Sequence, residues 1–229
     1  MGVDWFEKEN LPYTWFVSLS FFSVVNIVVY LHILNRPYTS KHKAICRYED
    51  KMRWLTLPYV VQCAWRSFWP EVYNTRVVFW DTLFNSCFIG RMLATIGEVT
   101  WVTQIALALN WAVKDIKELS KPGTISNDWE RYIYHASWAA VYLCATAEFF
   151  CNHGMFVENC WYNIIEVSLW TIAMLLLIPC SIYLLRRLDK IKPQKGQRID
   201  TYWTRRFLQL LLAVCVVFVG DATTDHIPM

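Results

Sequence analysis

Several signatures are missing from this sequence. It has eight Cys but no Cys-x-x-Cys pair, and five His but no His-Glu-x-x-His and no two His four residues apart. A thiol redox motif, a structural zinc module and a zincin site are therefore unsupported, and no Gly-x-Ser-x-Gly marks a hydrolase nucleophile. No Asn-x-Ser/Thr acceptor, low-complexity tract or internal repeat stands out. The apolar runs hold no Lys in their interiors and no facing His pair, so neither a retinal nor a haem site is indicated, and no cofactor is identified. The first ten residues carry Asp4, Glu7 and Glu9 against Lys8 and lack the basic leader of a secretory signal. The first apolar run is accordingly expected to be a retained helix.

What the chain has is apolar length. At 55% hydrophobic residues over 229 positions, with the apolar residues gathered in runs, it resembles a membrane protein more than a soluble domain. The expectation is one all-α integral membrane domain over residues 1–229, a multi-pass transmembrane helical bundle of about six spans at 13–34, 54–69, 83–113, 132–151, 161–185 and 207–220. The second is the weakest span, short and interrupted by Pro58, Gln62 and Arg66. An interfacial or re-entrant helix is its alternative. Trp5, Trp69, Trp80, Trp111, Trp161 and Trp203 stand where helices would meet headgroups. Most of the Cys are expected to be small apolar packers; Cys151 and Cys160 flank one short loop and are read either as a disulfide or as two packed thiols.

Charge orients the bundle. If 54–69 spans, the connections at 35–53, 114–131 and 186–206 share one side and hold six, four and eight of the 22 Lys and Arg. The positive-inside rule then makes that side cytoplasmic and places the N- and C-termini on the non-cytoplasmic side. The basic connections would face anionic lipid of the bilayer. Nucleic acid is not an expected partner, because lipid and topology already account for these cations. Another membrane protein or a second copy of the chain remains an open partner.

The third span is the organising stretch. On a helix, Arg91, Thr95 and Glu98 share one face, and Gly90, Ala94 and Gly97 form a small-residue face beside it that admits a close neighbour. With the expected orientation Arg91 lies roughly 12 Å and Glu98 roughly 22 Å from the outer end. Ala136, Ala140, Cys144 and Glu148 recur every four residues along the fourth span, and Asn159, Asn163, Glu166 and Trp170 align at the start of the fifth. His153, Glu158, Asp221, Asp225 and His226 cluster in the same outer region and are the weaker candidates for metal ligands.

Ionisable groups are expensive inside a bilayer, so Arg91, Glu98, Glu148 and Glu166 are the candidate substrate- or ion-binding residues. Three uses compete with plain helix-to-helix pairing. A buried carboxylate with a raised pKa would bind a proton or cation in a transporter or permease of a small solute or ion, which is the preferred reading. A membrane-embedded enzyme acting on lipid, metal-dependent or not, is the alternative, and an assembly subunit of a larger membrane complex comes third. No catalytic residue is assigned, and whether the protein is an enzyme is left open by these residues.

Overall fold

The computed structural model of the chain describes residues 13–38, 43–69, 71–72, 77–78, 84, 86–119, 125–157, 161–191 and 201–225. Six helices account for nearly all of them: α1 (Tyr13–Asn35), α2 (Lys43–Phe68), α3 (Cys87–Leu119), α4 (Asn127–Val157), α5 (Trp161–Leu188) and α6 (Thr201–Asp225). Between α2 and α3 a two-residue antiparallel ladder pairs β1 (Glu71–Val72) with β2 (Val77–Val78), in the register Glu71 to Val78 and Val72 to Val77. The chain divides into two compact units, 1–101 and 102–229, with the boundary inside α3.

Four helical segments among the described residues are long and apolar enough to cross a membrane: Phe16–Asn35, Phe88–Leu119, Trp161–Leu188 and Tyr202–Ala222. These are compatible with a membrane protein. α2 and α4 are long helices outside that set. In α2 the first half, Lys43 to Arg53, is dense in charge, so too little of the helix is uninterrupted apolar sequence. In α4 the Tyr and Trp residues, His135 and Glu148 dilute the aliphatic content.

Helix ends extend past the apolar runs. α2 begins at Lys43, ahead of 54, because its first turns carry their own local support, with Arg53 and Glu49 3.9 Å apart at i, i+4. α3 continues to Leu119 and α4 starts at Asn127, so the polar connection is far shorter than 114–131. Ser126 caps α4: its Oγ accepts from the Trp129 backbone N–H at 3.4 Å, with Asp128 and Glu130 in the positive first turn. Hydropathy marks only the part of a helix that suits hydrocarbon, which is why these polar turns were read as loop.

In the first unit α1 and α2 form an antiparallel hairpin. The Ser20 hydroxyl donates to the Ser67 carbonyl at 3.5 Å, while ten residues along α1 the Tyr30 hydroxyl donates to the Arg53 carbonyl at 3.1 Å. Arg53 closes the turn by donating to the carbonyls of Leu34 at 3.4 Å and Arg36 at 2.9 Å, so a cation sits at the negative end of α1. Trp65 of α2 donates its indole N–H to the Phe84 carbonyl at 3.2 Å and joins Trp69 and Phe84 in an aromatic cluster.

In the second unit α4 packs most extensively on α5, and α5 on α6. Trp129 stacks on Tyr183 at 4.1 Å between ring centres, and Phe150 lies 6.2 Å from Tyr162, which makes α4 and α5 antiparallel. Ala136, Ala140, Cys144 and Glu148 are all buried, so the four-residue stripe is the packing face of α4. Ala173, Leu177, Cys180 and Leu184 are the buried face of α5. The Cys215 thiol of α6 meets the Met174 sulfur of α5 at 3.7 Å. Cys144, Cys151, Cys180 and Cys215 are buried, while Cys160 lies outside the described residues.

Candidate functional site

Polar chemistry within the helices occurs in both units. In the first, Arg91, Thr95 and Glu98 are half-buried on α3, while Ala94 and Gly97 beside them are buried. What approaches the small-residue face is Gln62 of α2: a Cβ placed on Gly97 would lie 2.0 Å from its Oε1 and 2.9 Å from its Cδ. Any side chain at 97 would have to push the Gln62 side chain aside. One helical turn before Gln62, Tyr59 stacks on Trp101 with ring centres 6.2 Å apart. Tyr59 and Cys63, four residues apart on α2, interact with one another, and both lie within electrostatic reach of Glu98 and of Arg66. Glu98 therefore belongs to a compact polar group of phenol, thiol, guanidinium and carboxylate between α2 and α3.

The second unit holds Glu148 and Glu166. Glu148 has 0% of its surface exposed, although it is a carboxylate on a helix lined by Ala, Cys and Phe. The seam that buries it is the small-residue stripe itself. One turn on, the Asn152 amide donates to the Glu148 carbonyl at 2.7 Å, folding back on the helix. Glu166 is half-buried on α5. The stackings of Trp129 on Tyr183 and of Phe150 near Tyr162 set the hairpin register, which puts Glu148 and Glu166 at one level, near the connected end of α4 and α5. Trp170, the last residue of the aligned face of α5, is buried against Phe218 of α6 with ring centres 6.0 Å apart, whereas Asn163 at its start is exposed.

The four candidates thus divide two and two: Arg91 and Glu98 on α3 in the first unit, Glu148 and Glu166 on the α4–α5 hairpin in the second. Of the weaker set, His153 is exposed and ring-packed, parallel to Phe149 at 6.4 Å and edge-on to Tyr162 at 4.9 Å. Asp221 is exposed on α6. Glu158, His226 and the Asp225 side chain lie outside the described residues. Among the described residues, no group of three His, Cys, Asp or Glu is placed to hold a metal ion.

Sequence reasoning missed two features. The Tyr59–Cys63 pair was hidden because i, i+4 spacing on a helix of doubtful span carries little weight by itself. The ion pair of Lys117 with Glu130, joining the end of α3 to the start of α4, was hidden because both residues read as solvated loop. Comparison with known proteins adds no further assignment, since no protein-family model, curated protein or solved structure matches the chain.

Proposed function

We propose that this is a multi-pass membrane protein that passes a proton or a small cation, bound by the carboxylates of the α4–α5 hairpin, Glu148 and Glu166. The observation that carries this reading is the complete burial of Glu148, with Glu166 at its level. A carboxylate removed from water is costly as a bare charge, and a cation bound beside it offsets that cost. Retaining such a group inside an apolar seam costs several kcal/mol relative to an apolar residue there, about the amount that marks ionisable groups in membranes as functional by default. Under the charge-based orientation the connected end of this hairpin opens to the non-cytoplasmic face, where a cation would enter. Glu98, in its group with Tyr59, Cys63 and Arg66, is proposed as a second acidic group of the same activity, with Arg91 as a fixed positive charge on that helix.

The test is ion flux into liposomes containing the purified full chain, followed with an internal pH dye and with potassium, sodium and calcium indicators under an imposed membrane potential. Wild-type protein should pass at least one of these ions faster than empty liposomes. Glu148→Gln, which keeps the shape and removes the charge, should abolish that flux while the helical circular dichroism is kept, and Glu98→Gln should reduce it. Background flux for every ion, or full activity in both variants, would overturn the reading.

A further inference from the structure

A groove of about 580 Å³ runs between the end of α3 and the start of α4, wholly within the second unit. That size falls in the ~300–1,000 Å³ range of small-molecule sites. Its walls are antiparallel: the Asn110 amide of α3 donates to the Ser137 hydroxyl of α4 at 3.0 Å, and Lys117 pairs with Glu130 a few residues nearer the connection. The lining changes character along its length. Lys114 of α3 and Arg131 of α4 line one end, Asn110 and Tyr134 the middle, and Leu107 and Trp138 the other. At 1.5 Å per residue, Leu107 is about 10 Å from Lys114 along its helix, and Trp138 about 10 Å from Arg131 along its own.

We propose that this groove holds one anionic phospholipid, with its phosphate between Lys114 and Arg131 and its acyl chain along Leu107 and Trp138. The proposal rests on the membrane character of the chain and is independent of the cation reading of Glu148 and Glu166. Charge selects the headgroup. Glu130 is matched by Lys117, and among the described residues neither Lys114 nor Arg131 takes part in a salt bridge, which leaves two cations facing the groove. A zwitterionic headgroup would bring its own ammonium against them, whereas a headgroup of net negative charge would not. Arg131 offers a planar fork of donors to phosphate oxygens and Lys114 a mobile point charge, whose ammonium already lies 5.8 Å from the Trp111 ring centre. The chemistry of the far end then selects a lipid over a free anion, since Leu107 and the Trp138 ring have nothing to offer inorganic phosphate. Tyr134, with an apolar ring and a polar tip, suits the level between headgroup and chain.

The test uses the full chain in mild detergent, with retained lipid counted by native mass spectrometry as phosphatidylglycerol is titrated against phosphatidylcholine. One phosphatidylglycerol should be held in preference. Lys114 and Arg131 are both exposed, so Lys114→Gln with Arg131→Gln should leave the fold intact, checked by circular dichroism, and weaken retention about 30-fold, at about 1 kcal/mol per lost cation. The charge-conserving pair Lys114→Arg with Arg131→Lys should retain it. Arg186→Gln with Lys190→Gln, which removes two basic residues elsewhere, should leave it unchanged; equal loss in the two double-Gln variants would mean diffuse surface attraction and overturn the site. Trp138→Ala should weaken long-chain phosphatidylglycerol and spare the dihexanoyl form, and equal effects on both would overturn the placement of the acyl chain. Displacement of the bound lipid by 10 mM inorganic phosphate would show a free-anion site and overturn the lipid assignment.

Discussion

α1 in the first unit and α4 in the second are both long helices, yet they use their apolar residues in opposite ways. α1 turns Val17, Phe21, Phe22, Val24, Val28 and Val29 outward, with Phe22 67% exposed, and among its described side chains buries only Ser23 and Tyr30. α4 buries a continuous stripe of Ala136, Ala140, Cys144, Ala147 and Glu148 and leaves Tyr142 and Phe149 outside. In water the surface of α1 would be a large apolar patch of the kind that folded monomers avoid, whereas in hydrocarbon it is at ease. The contrast separates two sources of order. α1 is long and apolar enough for lipid, where a backbone must be satisfied internally, and polar contacts from Ser20, Tyr30 and Arg53 tie it to α2. α4 is held by close packing of small residues, which works in lipid because it depends on contact and needs no expulsion of water.

If that contrast is right, single substitutions should fall in a definite order, read as loss of folded protein in graded denaturing detergent. The largest loss is expected for Leu177→Ala or Leu184→Ala on the buried face of α5, about 2–5 kcal/mol each, because these fully buried side chains fill the seams with the neighbouring helices and their removal leaves cavities. Gly97→Ala should cost about 1–3 kcal/mol, because its new methyl displaces the buried Gln62 amide. Combining it with Gln62→Ala should recover part of that loss; no recovery would mean that Gln62 is not what Gly97 accommodates. Ser126→Ala, removing the cap of α4, is expected to cost about 1 kcal/mol, seen also as a shorter α4 in hydrogen exchange. The smallest effect is expected for Phe22→Ala on α1, within about 0.5 kcal/mol. A large effect there would show that α1 is covered by protein and would break the comparison.

Much of this architecture was legible in sequence. Six membrane spans were expected; the described residues hold six helices, of which four are long and apolar enough to cross a membrane, and the Ala136–Ala140–Cys144–Glu148 spacing identified the packing face of α4, because a residue every fourth position marks one side of a helix. Gly97 was legible as a point of close approach. Its neighbour was not, since nothing local to Gly97 designates the side chain of Gln62, 35 residues earlier. The polar ends of α2, α3 and α4 were misjudged because apolar length measures suitability for hydrocarbon, while helicity in those turns comes from caps and charge pairs. Candidate site residues were picked out by the cost of charge in an apolar run, a criterion that says which residues are unusual and nothing about which of them meet.

Sequence alone determined that the chain is helical and apolar enough for a membrane, which residues are ionisable within its helices, and which face of α4 is narrow enough to pack. Those properties follow from composition and from a period of 3.6 residues, both local to the chain. Only the tertiary structure decided that Glu148 is buried completely, that Glu166 stands at its level, that Gln62 fills the notch at Gly97, and that Lys114 and Arg131 flank one groove. Each of these is a relation between residues far apart in the chain, fixed by the register in which neighbouring helices interlock, and register is set by the fit of whole faces and by no single residue.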